Sequence, residues 1–220
     1  TAPKRAESCM SKIADLTASL VAGDKGLVGE KNFSILSAPG DMGEALLKKL
    51  KIPCDVVLCP KAHTSSAEDT KLCAQIMKEQ GVDLLVFCGG DGTARDICEA
   101  VGTDVTVLGI PSGVKMYSAC YACNPYQAGE MLAGWLEGKE MSYEMREVLD
   151  IEEKDLDSRN VSPQLYGFLK VLSDGKHLQK AKELDLGSGE SATIIARAAI
   201  LRMEKDWVYI IGPGGTTWKI

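Results

Sequence analysis

No run in this 220-residue chain approaches the roughly 20 apolar residues that a membrane helix needs, so no membrane partner is expected. Basic charge is also short. Lys and Arg number 25 against 31 Asp and Glu, and the net charge of −6 argues against a nucleic-acid-binding surface. An acidic chain that handles anions must therefore gather its positive charge locally. No secretory signal pattern opens the sequence, and no segment repeats. Histidine is scarce: His63 and His177 are far apart and read as loop residues without partners. Neither the Gly-x-x-x-x-Gly-Lys-Ser/Thr pattern nor Gly-x-Gly-x-x-Gly occurs, which excludes an ordinary P-loop hydrolase or Rossmann dehydrogenase.

Cysteine is plentiful, at positions 9, 54, 59, 73, 88, 98, 120 and 123. Most sit inside apolar runs, as reduced, buried thiols of a cytoplasmic protein do. Cys120 and Cys123 form the one Cys-x-x-Cys pair. With no second pair and no nearby histidine, no metal-ligating set is expected there.

The order of elements points to α/β architecture. The chain opens in a helical pattern with Ile13, Leu16, Leu20 and Val21 as its apolar stripe, where a strand would be usual. A fragment, or a chain whose first element is missing, is therefore expected. A strand at 33–37, a helix at 40–50 and a strand at 55–59 follow, then a helix from about Ala67 to Gln80 capped by residues 64–66 and stopped by Gly81. Leu84–Cys88 has strand composition, 94–101 reads as helix, 105–110 as strand, and Asn124-Pro125 starts a helix to Leu136. Such alternation predicts a doubly wound parallel sheet with helices on both faces over 1–138. Residues 139–220 read as a β-rich, incomplete second domain, with strands at 143–151, 164–172 and 207–211 and a helix at 191–203.

Chemistry concentrates where Leu84–Cys88 runs into Gly89-Gly90-Asp91-Gly92-Thr93. A strand-to-helix turn presents backbone N–H groups at a helix N-terminus, where an anion is favoured. Asp91 does not suit a simple phosphate cradle, because a carboxylate beside phosphates is repulsive unless a metal ion or a substrate proton lies between. Asp91 is thus either a helix-capping turn residue or a working acid in phosphoryl transfer; three neighbouring glycines favour the second, since they admit close approach. Ligands bind beyond the C-terminal strand ends of such sheets. The 111–118 loop lies at a second such end, with Ser112, Gly113 and Lys115 as phosphate candidates and Tyr117 and Ser118 as pocket candidates.

These residues resemble a known family. Gly89–Thr93 is similar to the signature of the superfamily of NAD kinases, diacylglycerol kinases and phosphofructokinases. With 109–118, Arg146–Asp150, 164–170 and Gly212-Pro-Gly-Gly-Thr-Thr217, the chain looks like the ATP-NAD kinase-like branch that includes the X protein of acetoin catabolism. The resemblance implies Asp91 as general base toward the ribose 2′-hydroxyl of NAD. It implies Gly89, Gly90, Gly92 and Thr93 on the nucleotide, ATP or polyphosphate as donor, Mg²⁺, nucleotides as partners, and a homo-oligomer. Glu147 aligns with the acid of an Asn-Glu pair that holds the dinucleotide, but Arg146 replaces the Asn. Thr216 and Thr217 follow glycines in a further phosphate-loop pattern, and are equally readable as a helix cap. The family's opening strand and its last elements have no counterpart here, as in a partial chain or a degenerate relative. The alternatives are a kinase of a lipid or small-metabolite hydroxyl, and a non-catalytic nucleotide-binding protein of acetoin metabolism.

Overall fold

The computed structural model describes residues 2–21, 33–58, 65–113, 116–151, 163–179 and 189–210. The chain divides into a unit over 1–182 and a smaller one over 183–220. The first contains helix α1 (Ala2–Val21), strand β1 (Leu36–Ser37), a 3₁₀ turn at Gly40–Met42, α2 (Glu44–Lys49) and β2 (Asp55–Val56). Then come α3 (Ala67–Glu79), β3 (Leu85–Gly89), α4 (Asp91–Val101), β4 (Thr106–Pro111), α5 (Pro125–Leu136), β5 (Ser142–Asp150) and β6 (Gln164–Ser173).

Local chemistry accounts for most boundaries. Ser66 caps α3 in a reciprocal box with Asp69, and Gly81 beyond it takes a φ of 74°. The Asn124 side chain accepts from the Gln127 N–H at 2.9 Å, with Pro125 in the first turn of α5. The four-stranded sheet has the order β3-β4-β6-β5, with β3, β4 and β6 parallel and β5 antiparallel to β6. β1 and β2 form a separate parallel pair.

The expected helices on both faces are present, and β4 shows why. Every residue from Thr106 to Pro111 is buried, as in a strand covered from both sides. Val107 packs with Phe87, Ile97 and Val101 on the α4 side. Leu108 and Ile110 pack with Cys9 of α1 and with Ala128, Met131 and Leu132 of α5. Each of these large side chains contributes about 1.5–3 kcal/mol by burial. α1 and α5 approach closely: a Cβ on Gly129 would lie 2.8 Å from the Cys9 carbonyl. None of the helices among the described residues is long and apolar enough to cross a membrane.

β5 and β6 continue the sheet that carries β3 and β4, and their outer part packs along α4. The second unit holds helix α6 (Gly189–Leu201). Residues 207–210 form no strand, contrary to the expectation from their apolar run; among the described residues no strand lies beside them, and Trp207, Val208 and Ile210 are exposed.

Candidate functional site

The site is built around the β3–α4 junction. Gly89 is the last residue of β3, Gly90 the N-cap of α4 and Asp91 its first residue. Asp91 is 8% exposed. Its carboxylate accepts from the Tyr117 N–H at 2.7 Å and the Ser118 N–H at 2.9 Å, one bond to each oxygen. Both donors belong to the loop that follows β4, so one side chain ties the C-terminal ends of neighbouring strands together. Ser112 strengthens this junction, its N–H donating to the Gly89 carbonyl at 2.9 Å.

Ser118 extends the network to β5. Its Oγ donates to the Leu149 carbonyl at 2.8 Å and accepts from the Leu149 N–H at 3.0 Å. Ser118 is buried and Tyr117 half-buried. On the other side of the turn, the hydroxyl of Tyr121 donates to the Gly90 carbonyl. Tyr121 is fully buried, edge-on to Phe87 with ring centroids 5.5 Å apart.

The glycines have different reasons. A Cβ on Gly89 would fall 2.3 Å from Thr93 Oγ1, so this glycine makes room for the chain's own threonine. Around Gly90 nothing among the described residues lies within 4 Å of such a Cβ. A Cβ on Gly92 would sit 3.9 Å from Asp150 Oδ2. Asp150 thereby enters the site. Its Oδ2 is 3.0 Å from Arg95 Nη1, and its Oδ1 accepts from the Ile151 N–H at 2.9 Å. Arg95 in turn lies over the Tyr166 ring, 5.3 Å from its centroid. A helix N-terminus with two acids and one guanidinium beside it can position an anion, a cation or a hydroxyl.

The structure thus gathers Gly89, Gly90, Asp91, Gly92, Thr93, Ser112, Tyr117 and Ser118 at one end of the sheet. Gly113 is half-buried just beyond β4. The Glu147 side chain is exposed on β5, while its carbonyl accepts from the Ala119 N–H at 3.1 Å. Arg146 pairs with Glu144, whose other oxygen takes the Ser173 hydroxyl. Arg146 Nε is buried without an acceptor among the described residues. Lys115, Thr216 and Thr217 lie outside the described residues, as does His63.

One reading is corrected. His177 has a partner after all: its Nδ1 is 2.6 Å from Asp174 Oδ2. Burial works against the Asp174 charge, but hydrogen bonds from the His177 and Lys176 N–H groups outweigh it and hold the carboxyl below its usual range. Cys120 is fully buried while Cys123 is exposed, and none of the described His, Cys, Asp and Glu residues form a three-member metal set. Burial pushes the Cys88 thiol up to about 11, consistent with an inert, packed cysteine.

Sequence reasoning missed Tyr121, Arg95 and Asp150. Tyr121 was hidden inside the Cys-x-x-Cys spacing. Asp150 carried one signal, a lone acid closing an alternating strand.

A family model described as the ATP-NAD kinase N-terminal domain matches residues 16–140. No curated protein and no solved structure matches the chain.

Proposed function

This chain belongs to the ATP-NAD kinase family, and from that premise we propose that it transfers a phosphoryl group from ATP or polyphosphate to the 2′-hydroxyl of NAD, forming NADP. The observation that carries the reading is the placement of Asp91. A carboxylate fixed at the first residue of a helix stands where phosphates are attracted, and it can take the proton of a hydroxyl about to be phosphorylated. Two backbone donors hold its oxygens, and each oxygen keeps a further lone pair for that proton.

Phosphoryl transfer asks for positioning and charge neutralisation more than covalent chemistry. None of the described residues crowds Gly90, and the N–H groups of the first turn of α4 supply donors. Ser112, Gly113 and Lys115 are the proposed donor-phosphate contacts. Asp150, beside Gly92 and paired with Arg95, would help to hold Mg²⁺ together with the nucleotide phosphates, and the ion would supply charge neutralisation of the transferring group.

A second reading keeps the transfer and changes the acceptor. Arg146 stands where the resemblance puts Asn, and its guanidinium is bound to Glu144 rather than presented as an amide. That favours a hydroxyl other than that of NAD. Purified protein with ATP, Mg²⁺ and NAD separates the readings. NADP formation supports the first, ATP turnover with another hydroxyl supports the second, and nucleotide binding without any turnover contradicts both.

A further inference from the structure

β5 ends the four-stranded sheet: the order β3-β4-β6-β5 leaves no strand on its outer side among the described residues. An uncovered edge presents backbone N–H and C=O groups to any chain that can pair with them. Along an antiparallel strand those groups turn alternately toward the neighbour and away from it. The outward ones are marked by what meets them late in β5. The Glu147 carbonyl takes the Ala119 N–H at 3.1 Å, and the Leu149 backbone takes both bonds of the Ser118 hydroxyl. Met145 and Tyr143 are in phase with these residues, and none of the described residues meets their N–H or C=O groups. The chain closes one half of this edge itself and leaves the other half open.

The side chains over the open half are apolar for an edge. Tyr143 and Met145 are 53% and 54% exposed. The half-exposed Phe168 of β6 shares their face, since it stands opposite Glu147 while Lys170 stands opposite Met145. Lys170 Nζ, 4.7 Å from the centre of the Tyr143 ring, steadies that ring. The reverse face, with Val148, Leu169 and Val171, is already used in the core. Neither a proline nor a bulge interrupts β5 before Val148, and an edge without such devices invites pairing.

The segment 139–147 reads Lys-Glu-Met-Ser-Tyr-Glu-Met-Arg-Glu, and its charges are complementary to themselves. Laid antiparallel on a second copy about Tyr143, it puts Met145 opposite Met141 of the partner subunit. Arg146 then stands opposite Glu140 of the partner subunit, and Glu147 opposite Lys139 of the partner subunit. Apolar residues meet apolar ones and both charge pairs have opposite signs, as in stable strand pairs. Neighbouring registers that keep the outward groups in phase are worse. Centring on Ser142 or on Glu144 sets an acid against an acid, and centring on Met145 needs the edge at Glu147 that Ala119 already holds.

We propose that the chain forms a two-fold dimer by antiparallel pairing of β5 with its own copy around Tyr143, extending the sheet across both subunits. A two-fold contact of this kind closes on itself and stops at two chains. An interface of one short strand pair is at the small end of specific interfaces, so the dimer is expected to dissociate on dilution. The pairing does not involve Asp91 and does not rest on the kinase reading.

Sedimentation of the full chain over a range of concentrations tests this. The parent is expected to move from one chain mass toward two as concentration rises, and no further. Met145→Pro removes an outward N–H and leaves the bonds to β6, and the two-fold contact loses that donor twice, so association should weaken by about tenfold or more. Glu140→Lys, which sets a lysine against Arg146, should weaken it several fold. Leu72→Ser, at an exposed apolar residue of α3, should change nothing. A parent that stays monomeric, as it would if the edge served a strand of another protein, would overturn the proposal. So would growth beyond two chains, association untouched by Met145→Pro or Glu140→Lys, or an equal loss with Leu72→Ser. If Met145→Pro does not fold, Tyr143→Lys decides, because it sets two lysines face to face at the axis and undiminished association would then contradict the pairing.

Discussion

Asp91 and Asp96 lie on the same helix, are buried to nearly the same degree at 8% and 9% exposure, and are treated in opposite ways by their surroundings. Asp91 receives one backbone N–H on each oxygen, from a loop that arrives 26 and 27 residues later. Asp96 receives none among the described residues. Burial therefore does not define what an acid does; the supply of donors does. At Asp91 the fold has invested in a fixed negative charge at the strand ends. At Asp96 solvent, not a protein donor, meets the carboxylate oxygens.

The comparison can be broken from either side. The largest stability effect is expected from Asp91→Ala, which strips the acceptor from two N–H groups. Each buried orphan costs about 1–3 kcal/mol, so thermal unfolding should fall clearly, and Asp91→Asn, which keeps one acceptor oxygen, should fall less. If Asp91→Ala melts like the parent, the network around Asp91 is not structural. Gly109→Ala comes next. Its Cβ would fall 2.6 Å from the Cys120 carbonyl and 2.7 Å from the Tyr121 ring, and overpacking of this kind costs about 1–3 kcal/mol. Denaturant titration measures it, and a neutral result would mean that Tyr121 is not held against β4.

Tyr121→Phe is milder. It removes the bond to the Gly90 carbonyl and keeps the ring, for about 0.5–1.5 kcal/mol. The smallest effect is at Asp96, and its sign is reversed: Asp96→Asn should leave stability equal or slightly higher near neutral pH. The linkage follows from the direction of the shift. Because the folded-state pKa of Asp96 lies above the unfolded value near 3.8, its proton stabilises the folded form at low pH, and this contribution is lost as pH rises through the folded pKa. Melting temperatures of the parent and Asp96→Asn, compared across that window, should diverge as pH rises. Parallel curves would mean that the Asp96 charge is compensated.

How much of this was legible depends on distance along the chain. Leu85–Gly89 and α4 were readable because an apolar run, three glycines and a helical pattern are local signals. The mixed α/β class followed from the alternation of elements, whereas the sheet order β3-β4-β6-β5 did not. The partners of Asp91 were not readable, since nothing in Met116–Ser118 announces that its N–H groups will meet an acid in another loop. Gly89 was read as room for a ligand, and it proves to be room for Thr93. The strand expected at 207–211 rested on composition, and a strand needs a neighbour to pair with. β1 and β2 shrank to two residues each for a related reason: they pair with one another and not with the four-stranded sheet.

The central claim is that the acid at the start of α4 works as a base in phosphoryl transfer. Its most direct test is the rate of NADP formation from ATP, Mg²⁺ and NAD by the parent chain and by Asp91→Asn at a temperature where both are folded. The account predicts measurable NADP from the parent and a loss of about 10²–10⁴-fold in kcat for the variant, because the amide cannot take the proton. NADP formed at the parental rate by Asp91→Asn would contradict it.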